Sequence, residues 1–104
     1  MKTKTTKPKP KTYTVVCVRW LESEAGWGQK PDGYSLHRTV EDARKYIDNY
    51  WDEQPKLPKG TVPSYYFRPD GDPFPVTAKL STYKKIKGNG ILCDGDWPRI
   101  GSIL

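Results

Sequence analysis

The chain has 104 residues, with four Trp, seven Tyr, two Phe and a formal charge of +6. That length fits one domain with a modest core, enriched by aromatic side chains that bury ~150–250 Å² each. Five lysines (Lys2, Lys4, Lys7, Lys9 and Lys11) stand in the first 11 residues without an acid, leaving 13 basic and 12 acidic side chains in the other 93; the charge therefore argues against a folded body built around a basic nucleic-acid-binding face.

The first 11 residues, punctuated by Pro8 and Pro10, are expected to form a disordered, extended basic arm, with the folded domain spanning 12–104. Tyr13 to Leu21, YTVVCVRWL, is rich in β-branched and aromatic residues and predicts a strand. Val16, Val18 and Trp20 fall on one face, and Tyr13, Val15, Cys17 and Leu21 on the other, so this strand is expected at the centre of a sheet. Glu22 to Gly33 reads as a long polar loop ending in a Pro31-Asp32-Gly33 turn. Tyr34 to Arg38 then returns as a short antiparallel strand.

Thr39, followed by Glu41 and Asp42, predicts a helix cap. Val40, Ala43, Ile47, Tyr50 and Trp51 recur at helical spacing, and Pro55 predicts a stop at Glu53 or Gln54. A connector from 55 to 63 leads to an aromatic strand, Ser64 to Arg68, and a turn over 69–73. Val76, Ala78 and Leu80 alternate as a half-buried strand. Ser81 is expected to cap a short helix from Thr82 to Lys87, stopped by Gly88, before a last strand, Ile91 to Cys93. Trp97, Ile100, Ile103 and Leu104 predict that the tail docks onto the body. The whole reads as an α+β fold: a small antiparallel sheet of four to five short strands on one main helix, about 40–53, with a second short helix, about 82–87.

The side-chain inventory argues against an enzyme. His37 is the only histidine, and it is expected to be surface-exposed or at a sheet face, as an ordinary strand residue or a ligand or partner contact. With two cysteines besides, no four-ligand zinc site can be assembled. Asp70-Gly71-Asp72 and Asp94-Gly95-Asp96 read as turns rather than cation loops. No metal or cofactor is expected. Cys17 and Cys93 sit in apolar strands and are expected to stay reduced. No 18-residue apolar run occurs, and no apolar segment follows the first lysines, so neither a membrane span nor a signal peptide is expected, and the natural compartment is the cytoplasm.

Two groups of residues remain as binding candidates. Lys30-Pro31-Asp32-Gly33-Tyr34 and Arg68-Pro69-Asp70-Gly71 repeat a cation before Pro-Asp-Gly. Trp27, Lys30, Asp32, Tyr34, His37, Arg38, Arg68 and Asp70 are candidates for a partner-binding rim, because Trp, Tyr and Arg dominate interface energetics. The second group is for nucleic acid or another anion: Lys2, Lys4, Lys7, Lys9 and Lys11 of the arm, with Lys79, Lys84, Lys85, Lys87 and Asn89, Tyr83 interleaved and the Gly88–Gly90 amides nearby.

The pattern of Trp27-Gly28, then Pro31-Asp32-Gly33-Tyr34-Ser35-Leu36-His37, then a capped helix ending in Tyr50-Trp51, resembles small uncharacterised proteins encoded by bacteriophages and plasmids. Arg68 to Gly71, Pro75 to Leu80 and Tyr83 to Ile91 continue the likeness, which covers most of residues 13–93. The resemblance implies a non-enzymatic accessory protein of a mobile element that inhibits or modulates a host defence or nucleic-acid-handling complex by stoichiometric binding, in the manner of an anti-CRISPR protein. Its partner would be a host protein or ribonucleoprotein complex. The alternatives are a small nucleic-acid-binding module using the arm and lysine-rich segment, and a sponge for a signalling nucleotide.

Overall fold

A computed structural model describes residues 11–54, 57–58, 60 and 65–104, with Tyr65 described by its backbone alone. The basic arm from Lys2 to Lys9 and most of the 55–63 connector lie outside the described residues. Among those described, five strands and two helices follow one another: β1 (Thr12–Glu24), β2 (Gly28–His37), α1 (Val40–Glu53), β3 (Tyr65–Pro69), β4 (Phe74–Lys79), α2 (Leu80–Lys85) and β5 (Ile91–Cys93). The fold is a small α+β fold.

β1 is the axis of the antiparallel sheet. β2 pairs along one of its edges, from Val16↔His37 to Glu24↔Gly28. The other edge is shared: β4 pairs with the first half, Thr12 to Cys17, and β3 with the second half, Trp20 to Glu24. β5 adds to the outer edge of β2 at Tyr34 to Leu36. Because both faces of the sheet are covered by other elements, β1 needs apolar residues on both, and its sequence supplies them.

Each face has its own core. Val15, Cys17, Leu36, Val76, Ala78 and Ile86 form one, closed by Tyr83 of α2 and by Leu104. Val16, Val18, Trp20 and Ala43 form the other, closed by Tyr46, Ile47 and Tyr50 of α1 and Phe67 of β3. Thr39 caps α1 as expected, its hydroxyl accepting from the Asp42 amide at 3.0 Å.

The expected helix face is corrected. Val40 and Trp51 are 45% and 42% exposed, and Tyr46 packs in their place, because the face that meets the sheet is centred on Ala43 and runs through positions 46, 47 and 50. α2 begins and ends two residues earlier than expected, at Leu80 and Lys85, with Lys79 rather than Ser81 at its cap position and no side-chain cap bond. Ile86, which the helix brings into the core, is 2% exposed.

The largest correction concerns residues 22–33. The sheet continues through the expected loop, leaving only Ala25, Gly26 and Trp27 between the two strands. The Trp27 amide donates to the Glu24 carbonyl at 3.0 Å, and Gly26 supplies the positive φ of 84° that the turn requires. Pro31 stands within β2 opposite Leu21; β5 does not reach it, so its missing amide removes no described ladder bond. Gly33 has φ 74° and lies so near the Cys93 carbonyl oxygen that an added Cβ would sit 2.7 Å from it.

The tail docks partly as expected. The Trp97 indole donates to the Trp20 carbonyl at 3.2 Å, and the Lys79 amide to the Leu104 carbonyl at 2.7 Å. Ile103 contributes a backbone bridge to Thr77, but its side chain, like that of Ile100, is exposed.

Candidate functional site

The far end of the β1–β2 hairpin gathers the first group of candidates. Trp27 occupies the turn and is 83% exposed, although an indole of that size is ordinarily among the most buried of side chains. Around it a shallow recess is lined by Glu22, Glu24, Gly28, Gln29 and Lys30. Lys30 Nζ stands 3.6 Å from Glu22 Oε2, as their cross-strand pairing dictates. Arg68 is opposite Leu21, on the other edge of β1, and reaches across that strand to donate to Gln29 Oε1 at 2.6 Å. The end of the sheet therefore presents one exposed indole beside two acids, two cations and an amide.

The structure disperses the other members of the proposed rim. Tyr34 is half-buried among the residues that pack on the first core, and burial raises its pKa, as does the neighbouring Cys93. Asp70 is exposed, and its amide donates to the Arg19 carbonyl at 2.8 Å. Asp32 lies on the rim of a separate groove beside α1. Arg38 sits with its guanidinium 4.4 Å from the Tyr83 ring centroid, in the part of the molecule where β1 begins.

His37 does lie at a sheet face as a strand residue, but the surface exposure and partner contact expected as alternatives are corrected: it is 0% exposed. It does face away from Leu36, as strand alternation demands, but α1 covers that side of the sheet, and the Tyr46 ring packs edge-on with centroids 4.9 Å apart. Its Nδ1 lies 2.6 Å from the Asn89 carbonyl oxygen. A carbonyl only accepts, so Nδ1 carries the hydrogen, and in the neutral ring Nε2 accepts from the Ser35 hydroxyl at 2.7 Å. Ser35 in turn accepts from the Trp20 indole at 2.8 Å. Desolvation lowers the His37 pKa below its ordinary value, outweighing the Asn89 bond and the more distant Asp42 charge.

The thiols are similarly held in their neutral form. Burial pushes Cys17 up to about 12 and also raises Cys93, against the lowering effect of the nearby Tyr34 hydroxyl. Both are free.

The second group of candidates lies where β1 begins. Lys79 pairs with Thr12, and Lys84, Lys85 and Lys87 follow on or just after α2, all exposed. The Tyr13 and Tyr83 rings stack at 4.2 Å and 16°. Lys11 lies 5.7 Å from the Tyr13 centroid, so a cation flanks the pair on the Tyr13 side as Arg38 does on the Tyr83 side. The anion-receiving role expected of the Gly88–Gly90 amides is corrected in part: the Gly90 amide already donates to the Lys87 carbonyl at 3.0 Å, and the Asn89 carbonyl is taken by His37.

Sequence reasoning missed Glu22, Glu24 and Gln29 beside Trp27, and Tyr13 as the partner of Tyr83. The alternation of acids at 22 and 24 with glycines at 26 and 28 was the available sign of a hairpin. Among the described residues no group of His, Cys, Asp and Glu is placed to hold a metal ion, and no helix is long and apolar enough to cross a membrane. Comparison with protein-family models, with curated proteins and with solved structures gives no match.

Proposed function

We propose that the protein acts by stoichiometric, non-enzymatic binding, using the Trp27 end of the sheet to engage a host defence or nucleic-acid-handling complex of the kind implied by the resemblance to phage and plasmid proteins. The observation that carries this reading is the 83% exposure of Trp27 at the end of a stiff, paired hairpin. Holding a large indole in water forgoes its burial, whereas a fixed aromatic with a polar surround is the ordinary anatomy of an interface anchor. The binding reading is further supported by the commitment of both nitrogens of the one imidazole to hydrogen bonds within the fold and by thiols kept protonated. The test uses the purified full chain as bait in bacterial lysate, followed by assay of any retained nuclease or effector with and without added protein. Retention with stoichiometric inhibition is expected; repeated failure to retain such a complex overturns the reading.

A second reading, nucleic-acid binding, is favoured by one observation: the Tyr13–Tyr83 stack between Lys11 and Arg38 lies at the point where the lysine-rich arm joins β1. Cations would neutralise phosphates there, and affinity would fall steeply with salt. Absence of measurable binding to mixed DNA and RNA at low salt removes this reading.

A further inference from the structure

Between α1 and the sheet runs a half-open groove of about 120 Å³, lined by Trp20, Asp32, Tyr46, Tyr50, Phe67 and Leu92. It is separate from the recess around Trp27. Its aromatic walls are fixed rather than collapsible. Tyr46 and Tyr50 both stand edge-on to Trp20, at 67° and centroid distances of 6.2 and 5.1 Å. The Tyr50 hydroxyl is pinned by the Phe67 amide at 2.9 Å, and the Trp20 indole by Ser35. The outer lip is Leu92, 63% exposed.

The charge in this groove is one-sided. Among the described residues Asp32 is its only charged lining residue, and no described cation lines it. Among the described residues the Asp32 carboxylate makes no hydrogen bond or ion pair, since Lys30, its neighbour in β2, turns to Glu22. Beyond Tyr46 and Tyr50 a second, more open hollow begins, and its charged residue among those described is again an acid, Glu53.

We infer that this groove receives an arginine side chain presented by a partner polypeptide. A guanidinium is planar, weakly hydrated and suited to stacking against aromatic faces, and its fork matches a single carboxylate in a bidentate pair. A half-open slot with one acid at its rim fits a flat cation that enters from the side. A neutral apolar side chain would leave Asp32 desolvated without compensation, and an anion would be repelled by it. The inference does not rest on the Trp27 interface.

The test is an NMR titration of the full chain with Nα-acetyl-arginine amide, alongside the acetyl amides of citrulline, which is the neutral isostere, and of lysine. Arginine amide is expected to shift signals of Trp20, Tyr46, Tyr50, Phe67 and Leu92 in the millimolar range, with citrulline and lysine amides about tenfold or more weaker. Asp32→Asn is expected to lower arginine affinity about tenfold while leaving the melting temperature in place, because the exposed carboxylate has no described partner to lose. Trp27→Ala is expected to leave the titration unchanged, which separates this site from the hairpin end. Equal shifts from citrulline, equal binding of lysine, an unaltered affinity in Asp32→Asn, or no shift at these residues would each overturn the inference.

Discussion

Gly90 lies directly against the imidazole of His37: a Cβ at position 90 would enter the ring, and would stand 2.8 Å from the Leu36 carbonyl oxygen. The φ of 154° at Gly90 is a further obstacle to any L side chain. Since His37 is held between Ser35 and Asn89 and under Tyr46, it has nowhere to move. Gly90→Ala is expected to cost about 3 kcal/mol, lowering the melting temperature of a domain this size by roughly 15 °C. Thermal melting by circular dichroism checks this, and an unchanged midpoint would show that the 87–90 turn can shift aside.

The same histidine gives stability a pH dependence. Its folded-state pKa is lowered by burial, whereas an unfolded-chain histidine titrates near ~6.5. As pH falls through that value the unfolded state takes up a proton that the folded state refuses, so folding stability declines. The contribution is fully present above the unfolded pKa and is lost progressively until the lower, folded pKa is reached. Urea unfolding measured between about pH 7.5 and 5 is expected to show the decline, and His37→Gln to flatten it over the same interval.

Cys17, pushed up to about 12 and fully enclosed, is expected to resist alkylation in the native protein. Cys93 is half-exposed but also raised, and should react slowly. Iodoacetamide labelling at pH 8 read by peptide mass spectrometry should find Cys93 modified well ahead of Cys17, with both modified rapidly once urea unfolds the chain. Comparable native labelling of the two would mean that the first core opens far more readily than its packing implies.

Much of the scaffold could be read from local chemistry. Alternation along YTVVCVRWL encodes a strand with two apolar faces, and Thr39 with its following acids encodes the start of α1, because both signals act within a few residues. The hairpin end was not legible in the same way. Gln29, Lys30 and Pro31 have little strand preference of their own and are held in the sheet by pairing with β1, while Asp32 and Gly33 fall where the register shifts between Arg19 and Leu21; the other edge of β1 is supported there by β3. His37 followed the same logic: its alternation was correct, but whether its face met water depended on where α1 settled. The aromatic groove is a third example, since Trp20, Tyr46, Phe67 and Leu92 come from four elements and share no motif. The proposed roles of Trp27, Lys30 and Arg68 rest on placement at one end of the sheet, with Arg68 reaching Gln29 across β1.

The central claim is tested most directly by capture with Trp27→Ala beside the wild-type chain, with melting temperatures measured on the same preparations. Trp27 is almost wholly in solvent, so its truncation should alter stability by no more than about 0.5 kcal/mol, while loss of an interface anchor should weaken binding by at least ~2 kcal/mol, or roughly thirtyfold. The account predicts an unchanged melting temperature together with loss of the retained nuclease or effector complex. Equal retention of that complex by the Trp27→Ala chain would contradict it.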